Sequence, residues 1–217
     1  MKKSQSTFIF LLCFLAAGNV LHAQQAPPTP QRASDYVNDR LPDWLRLTGE
    51  YRIRFEALEG NAFKPNNDDA YGLGRARVNT TLMPAPWMKL QFQGQDAQVW
   101  GRNSKPDAPP YEDTFDVRQA YVEIGGVEDS KFGLRVGRQE LYFGEQRLIG
   151  HLNWTNTARS FDAVRASYRS KSYRVDAFAA SVVNLKDGSF NRRSDGNNLH
   201  GRIGILRGVC FDEAISC

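Results

Sequence analysis

The sequence has 217 residues, a mean hydropathy of −0.52 and a formal net charge of +4, from 28 lysines and arginines against 24 aspartates and glutamates. Beyond the N-terminal segment, no apolar run approaches the roughly 20 residues of a membrane-spanning helix, which excludes a helical membrane protein. The small excess of positive charge does not indicate nucleic-acid binding, and three cysteines are too few for a framework of disulfides.

The N-terminus has the pattern of a secretory signal peptide. Lys2 and Lys3 precede an apolar run from Phe8 to Ala17, and Ala23 offers a cleavage point. Residues 1–23 are therefore predicted to be removed during export. Residues 24–42 are polar and proline-rich, and they predict a linker before the folded domain.

From residue 43 to residue 205 the chain repeatedly alternates between apolar and polar residues. Between Leu45 and Glu56 every odd position is apolar or glycine and every even position is polar or charged, a period of two that predicts a β-strand. Six further stretches repeat this alternation, at residues 75–82, 88–95, 119–124, 131–137, 163–169 and 173–180. An eighth begins near Leu199 and loses the pattern after Ile205.

The connections between the predicted strands alternate in length. Short turns follow the second, fourth and sixth strands, and longer loops follow the first, third, fifth and seventh. An outer-membrane β-barrel has this arrangement, with short turns at one end and long loops at the other. A secreted β-sandwich also has alternating strands, but nothing in its architecture requires the loop lengths to segregate in this way.

The polar face of the predicted strands is strongly cationic. Across the first seven stretches the apolar face contains no charged residue, whereas the polar face carries nine arginines and two lysines against four acids. Because the planar guanidinium group binds carboxylates through two hydrogen bonds, this preference for arginine indicates a surface for anions. Inside a barrel such a face predicts a water-filled, anion-selective pore. If the strands instead form a β-sandwich, the same cationic face would be its ordinary solvated outer surface. The residues predicted to line the pore are Arg52, Arg54, Arg75, Arg77, Lys89, Arg135, Arg165 and Arg174.

The segment from Gly137 to Asp162 resembles the signature of the alginate-export family of outer-membrane porins. It contains GRQ, then a leucine, a glycine and RL-x-G at fixed spacing, followed by W-x-N-x-x-R-x-F-D. The residues of interest in this segment are Arg138, Gln139, Arg147, Trp154, Asn156, Arg159 and Asp162. Arg138 is expected at the rim of the barrel. For Arg147 and Arg159 two roles stay open, guarding the pore entrance or tying the loop to the wall through Glu140, Glu145 or Asp162.

The resemblance implies an all-β fold, an antiparallel transmembrane β-barrel of about 18 strands. It also implies a monomer in the outer membrane, inserted by the barrel-assembly machinery, whose arginine-rich pore passes an anionic polysaccharide such as the polyuronate alginate. This chain supplies only the N-terminal seven or eight strands, and residues 206–217 abandon the alternation. The sequence therefore predicts an incomplete copy with an aberrant tail, which alone would form no conducting channel.

Other functions fit the sequence less well. A general or phosphate-type anion porin would use the same arginines. A secreted β-sandwich that binds or cleaves polysaccharide is a further alternative, but His151 and His200 have no catalytic or metal-ligating partner at motif spacing. We therefore predict no catalytic residue, no metal and no cofactor. The four tryptophans, Trp44, Trp87, Trp100 and Trp154, lie near predicted strand ends, where they favour an aromatic girdle.

Overall fold

The computed structural model describes residues 32–60, 63, 65, 67–103, 107 and 109–206. The predicted signal peptide and residues 207–217 of the predicted tail lie outside the described residues. A six-residue helix, α1 (Ala33–Asn38), falls within the segment predicted to be a linker. No helix in the described part of the chain has the length and apolar character needed to cross a membrane. The strands are β1 (Leu45–Leu58), β2 (Asp69–Ala85), β3 (Met88–Trp100), β4 (Asp113–Gly125), β5 (Phe132–Gln139), β6 (Phe161–Arg169), β7 (Tyr173–Asn184) and β8 (Arg192–Leu206).

The eight strands form one antiparallel sheet in the order β1-β2-β3-β4-β5-β6-β7-β8. The predicted all-β antiparallel fold is confirmed, and most strands are longer than their predicted stretches because the alternation weakens towards the strand ends. Each strand pairs with its neighbour in the sequence, which is the order found in the wall of an up-and-down barrel. Within the described residues the sheet is open, since β1 and β8 do not pair with each other.

The segregation of loop lengths is present in the structure. Residues 86–87, 126–131 and 170–172 form the three connections at one end of the sheet, which we call the short-turn end. Residues 59–68, 101–112, 140–160 and 185–191 form the connections at the opposite long-loop end. The longest of these, residues 140–160 between β5 and β6, is called the inner loop below because it folds back over one face of the sheet.

The two faces of the sheet have burial opposite to that of a water-soluble protein. On the outer face the apolar side chains are exposed, with 82% of the Phe55 surface and 59% of the Val78 surface accessible. On the inner face charged side chains are buried, and only 2% of the Arg75 surface is accessible. Because a barrel in lipid keeps its polar side chains towards the lumen, this inversion is what a membrane-spanning wall requires.

The outer face does carry charge near the long-loop end, where the strands extend beyond their predicted stretches. Asp96 lies at an outer-face position of β3, opposite Ala76. Arg138 and Asp162 are directly opposed on β5 and β6, with Nε to Oδ1 at 2.9 Å. Charged side chains cost little near the membrane interface, whereas at the bilayer midplane they cost about 2–4 kcal/mol. On β1–β7 the predicted absence of charge therefore holds for the central part of the outer face only, and on β8 Arg202 lies opposite the outer-face residue Ala177.

Three of the four tryptophans fit the predicted girdle. Trp44, Trp87 and Trp100 are about half exposed and lie at or next to the ends of strands. Trp154 does not fit. It belongs to the inner loop, and its carbonyl accepts hydrogen bonds from inner-face arginines. Sequence position alone suggested a strand end, but the loop folds inwards and carries Trp154 away from the outer face.

A small apolar cluster attaches the start of the inner loop to β6 and β7. Leu141 is fully buried against Phe161, Ala163, Phe178 and Ala180. The Phe143 and Phe178 rings stack with their centroids 5.2 Å apart, and the partly buried side chains that pack against the cluster are Phe143, Ile149, Val182 and Ile203. Burying these side chains on the inner face directs the rest of the inner loop towards β1 and β2.

Candidate functional site: the arginine-rich inner face

Four of the predicted pore-lining arginines form a compact group on β1 and β2. The register places Arg52 directly opposite Arg75 and Glu50 opposite Arg77. Arg75 donates a hydrogen bond to the Glu50 carboxylate, and Arg77 Nη1 lies 3.7 Å from the other oxygen of the same group. Because a single carboxylate lies between two guanidinium groups, Glu50 reduces their mutual repulsion.

Arg54 has its own carboxylate partner on the same strand. Its Nε lies 2.7 Å from Glu56 Oε1, and the Tyr71 hydroxyl donates to Glu56 Oε2 at 2.7 Å. Arg52 differs from its three neighbours, because no carboxylate within the described residues forms an ion pair with it.

The inner loop covers this arginine group with backbone carbonyl oxygens. Arg52 donates to the carbonyls of Asn153, Trp154 and Thr155 at 3.2, 3.4 and 2.9 Å. Arg54 donates to the Trp154 carbonyl at 2.5 Å. Arg75 donates to the carbonyls of Asn153 and Thr155 at 3.0 and 3.2 Å. Three guanidinium groups therefore converge on three consecutive carbonyls.

Neutral amide side chains continue the polar surface next to the arginines. Arg77 Nε donates to Gln95 Oε1 at 2.6 Å, and Arg77 Nη1 donates to Asn153 Oδ1 at 2.8 Å. Gln95 Nε2 in turn donates to the Thr157 carbonyl at 2.6 Å, and Gln93 Nε2 donates to Asn79 Oδ1 at 2.5 Å. These groups offer both donors and acceptors beside the cations.

Asn156, a motif residue, anchors the inner loop to the wall. Its side chain is almost fully buried, and Nδ2 donates to the carbonyls of Gly74, Gln98 and Tyr111 at 3.1, 3.0 and 2.8 Å. Asparagine suits this position because its compact amide supplies two hydrogens to backbone acceptors. Asn156 thus has a structural role, and it fixes the loop next to the arginines.

Arg118 is an inner-face cation that the alternation of the sequence did not predict. Gln119 pairs with Gln93 and Val117 pairs with Gly94, so Arg118 is the extra residue of a β-bulge. Its buried guanidinium donates to Gln93 Oε1 at 2.6 Å and to the Glu140 carboxylate at the start of the inner loop. Strict alternation would point this side chain outwards, and the bulge turns it inwards.

A second charge network lies towards the short-turn end, on β6 and β7. Asp176 is buried between Arg165, at 2.8 Å, and Arg174, at 2.6 Å. Glu128, from the turn between β4 and β5, lies 2.9 Å from Arg165 and 2.8 Å from Arg174. Burial raises the pKa of Glu128, but the hydrogen bond from Arg174 and the charges of both arginines outweigh it and hold this pKa below its ordinary value.

The remaining predicted pore residues share one acid. Lys89 Nζ lies 2.9 Å from Glu123 Oε1, and Arg135 forms an ion pair with the other oxygen of the same carboxylate. The Arg135 guanidinium also lies 4.5 Å from the centre of the Tyr121 ring. The structure thus places the predicted residues in three groups, of which only the one on β1 and β2 contacts the tip of the inner loop, Asn153–Thr155.

The other motif residues lie around this site. Arg138 lies near the long-loop end of β5, opposite Asp162, and its place at the rim of a barrel stays a prediction. Gln139 is fully buried and donates to the Ala163 carbonyl at 3.0 Å. Arg147 is exposed and pairs at 2.9 Å with Glu145 of the same loop, so this ion pair does not tie the loop to the wall. The Arg159 side chain is exposed, and its backbone N–H donates to the His151 carbonyl at 2.7 Å.

His151 is the ionisable residue of the inner loop closest in sequence to its tip. Burial lowers its pKa, Glu140 opposes that shift, and the charges of Arg118 and Arg77 add to it. Across the described residues, no cluster of histidine, cysteine, aspartate or glutamate has an arrangement able to hold a metal ion.

The comparisons with known proteins agree with this geometry. Residues 43–210 match the family model described as Alginate export. Among curated proteins, no sequence matches the chain. The family match covers well over half of the chain and includes every strand. The chain therefore belongs to the alginate-export family, whose members are outer-membrane β-barrel transport proteins and not enzymes.

Proposed function

We propose that the inner face of this chain forms the wall of an anion-selective channel that passes an anionic polysaccharide, a polyuronate such as alginate. The observation that carries the proposal is the concentration of charge around β1 and β2. Five guanidinium groups lie there, and three carboxylates form ion pairs with four of them. The five are Arg52, Arg54, Arg75, Arg77 and Arg118, and the carboxylates are Glu50, Glu56 and Glu140.

The chemistry of this surface fits a uronate chain better than a small anion. Each uronate unit carries a carboxylate, for which guanidinium is a strong partner, and hydroxyl groups, for which amides supply donors and acceptors. Gln93, Gln95 and Asn79 line the same face beside the arginines. A phosphate-type porin would need the cations alone, so the amides favour the polysaccharide.

The proposal is tested by binding to the folded protein in detergent micelles, which does not depend on a closed pore. Tetramannuronate is expected to bind, with an affinity that falls as salt is added, whereas the carboxyl-reduced tetrasaccharide is not. Inorganic phosphate is the competitor. Displacement of tetramannuronate by phosphate at equal concentration would favour the general anion porin instead.

Two variants assign the binding to this surface. Arg52→Gln removes the cation that has no carboxylate partner and is expected to weaken tetramannuronate binding about tenfold, since a hydrogen bond to a charged group contributes about 1.5–3 kcal/mol. Arg46→Gln is the matched control, because it removes a partly exposed arginine from the same strand, where it lies near Asp43. Equal affinities for the two variants would contradict the proposal.

A monomeric barrel inserted by the assembly machinery stays a prediction from the resemblance.

A further inference from the structure

The tip of the inner loop, Asn153–Thr155, occupies the positions on the arginines that an anionic ligand would take. Arg52, Arg54 and Arg75 direct their N–H groups at the carbonyl oxygens of these three residues, at 2.5–3.4 Å. A guanidinium group presents this same fork of donors to a carboxylate. The backbone of the tip is therefore a neutral substitute for carboxylates on this surface.

A neutral acceptor adds no negative charge to this surface, where Glu50 and Glu56 compensate the arginines only in part. Arg52 is the clearest case, because its hydrogen bonds go to carbonyls and no ion pair with a carboxylate is present in the described part of the chain. A guanidinium group makes charge-assisted hydrogen bonds to either acceptor, but a carboxylate adds the attraction between opposite charges and accepts two N–H groups of the fork at once. A carboxylate that reaches Arg52 is thus a better partner than the carbonyl it replaces.

The contacts that flank the tip are of a different kind. On one side Asn156 binds three wall carbonyls, and the Thr157 carbonyl accepts from Gln95. On the other side Phe143 and Ile149 pack in the apolar cluster. The hydrogen bonds of Asn156 and Thr157 and the packing of Ile149 join neutral groups, so a polyanion gains little by breaking them. The start of the loop is held separately, by the ion pair of Glu140 with Arg118. The tip is bound mainly through cations, while its two flanks are held independently.

The backbone at the start of the tip is strained. Leu152 has φ of +49°, in the left-handed region that a bulky side chain rarely adopts. The turn is closed by a hydrogen bond from the Thr155 N–H to the Leu152 carbonyl at 3.0 Å. Such strain persists only where surrounding contacts impose it. Here the contacts that immediately follow are those between the tip and the arginines.

We propose that Asn153–Thr155 is a latch that carboxylates displace. A polyuronate, which the proposed function supplies, would bind Arg52, Arg54 and Arg75 in place of the three carbonyls, and the tip would move away from the wall while Asn156 stays anchored. The latch keeps the cations hydrogen-bonded when no ligand is present, and it opens the surface only to ligands that carry carboxylates.

The test is a distance measurement by double electron–electron resonance. One nitroxide label is placed at the tip through Trp154→Cys, since the latch uses the backbone carbonyl of this residue and its side chain is 68% exposed. The second is placed on the outer face of β2 through Val78→Cys, and Cys210 and Cys217 are replaced by serine. Tetramannuronate is expected to shift the distance distribution to longer and broader values. The carboxyl-reduced tetrasaccharide is expected to leave it unchanged.

Variants separate the latch from binding. Arg52→Gln combined with Arg54→Gln is expected to give the displaced distribution without ligand, and Arg46→Gln is expected to keep the original one. A double variant that retains the original distribution would overturn the latch. If calorimetry shows that tetramannuronate binds but the distances do not change, the latch is wrong and the proposed function stands. If tetramannuronate does not bind at all, the proposed function fails and the latch fails with it.

Discussion

Trp100 covers Gly74 on the outer face of the sheet. A Cβ atom at position 74 would lie 2.1 Å from Cη2 of the Trp100 ring and 2.9 Å from Cζ3. Gly72, which pairs with Trp100 across β2 and β3, leaves room for the same ring, because a Cβ there would lie 3.2 Å from Cε3. The two glycines form the surface on which this exposed aromatic ring rests.

The first prediction follows from this contact. Gly74→Leu must push the Trp100 ring off the sheet, and it is expected to lower the free energy of unfolding by about 1–3 kcal/mol, the usual cost of overpacking. Urea unfolding in detergent micelles measures this difference.

The matched control is Gly204→Leu on β8, where an added Cβ would meet nothing within 4 Å. This variant should unfold close to the wild type. Combining Gly74→Leu with Trp100→Ala should recover part of the loss, because the ring that clashes is then absent. Equal destabilisation by Gly74→Leu and Gly204→Leu would show that the ring does not rest on this glycine.

The ion pair between Arg118 and Glu140 gives the second prediction. Arg118 is buried and Glu140 is mostly buried, so Arg118→Met leaves a carboxylate in a poorly solvated place. The expected loss of unfolding free energy is about 3–5 kcal/mol. Arg118→Met with Glu140→Met should lose less than Arg118→Met alone, because no charge is then left without its partner. A double variant that loses more than the single one would contradict this explanation.

The strands and the two faces of the sheet could be predicted from the sequence, because both follow from the alternation of apolar and polar residues with a period of two. It placed Arg52, Arg54, Arg75 and Arg77 together on the inner face without any structural information. It missed Arg118, because one bulge residue reverses the alternation and no local pattern marks the bulge.

The position of the inner loop could not be predicted from residue types. Its tip binds the arginines through backbone carbonyls, which every residue has, so the identities of Asn153, Trp154 and Thr155 give no signal for these contacts. The placement of Trp154 in a girdle was wrong for the same reason. The sequence did contain the Trp-x-Asn spacing of the motif, whose asparagine, Asn156, anchors the loop to the wall.

The third prediction concerns the pH dependence of the inner loop. Burial lowers the pKa of His151 below its ordinary value of 6.5, the charges of Arg118 and Arg77 act in the same direction, and Glu140 acts against them. The unfolded chain therefore takes up this proton at higher pH than the folded chain does. The contribution of His151 to stability is complete above pH 6.5 and is lost as the pH falls from there through the folded pKa.

Unfolding free energies measured from about pH 7 to about pH 5 test this prediction. The wild type should lose stability over this range, and His151→Gln should remove part of the slope. His200→Gln provides a second variant that lacks one histidine, on β8 and outside the loop. A slope that disappears in His200→Gln and persists in His151→Gln would contradict the role given to His151.

The last prediction concerns Glu128, which joins the turn at residues 126–131 to β6 and β7. Its pKa lies below the ordinary value of 4.5, because the hydrogen bond from Arg174 and the charges of Arg165 and Arg174 outweigh the effect of burial. A carboxylate with a lowered pKa in the folded state stabilises that state above pH 4.5, and the stabilisation is lost as the pH falls through the folded pKa. Glu128→Gln should therefore flatten the pH dependence of stability below pH 4.5.

The size of this effect at neutral pH is expected to be modest. The Glu128 side chain is 39% exposed, and Asp176 continues to pair with both arginines when Glu128 is replaced, so the loss should stay below roughly 1 kcal/mol. Glu145→Gln is the matched control, because Glu145 and its partner Arg147 are both largely exposed and their ion pair should contribute almost nothing. Urea unfolding at a series of pH values measures both variants. If Glu145→Gln reduces the pH dependence of the unfolding free energy below pH 4.5 as much as Glu128→Gln does, the Glu128 carboxylate does not hold the turn to the wall. If only Glu128→Gln flattens it, the two arginines stabilise the turn at this end of the sheet as well as pairing with Asp176.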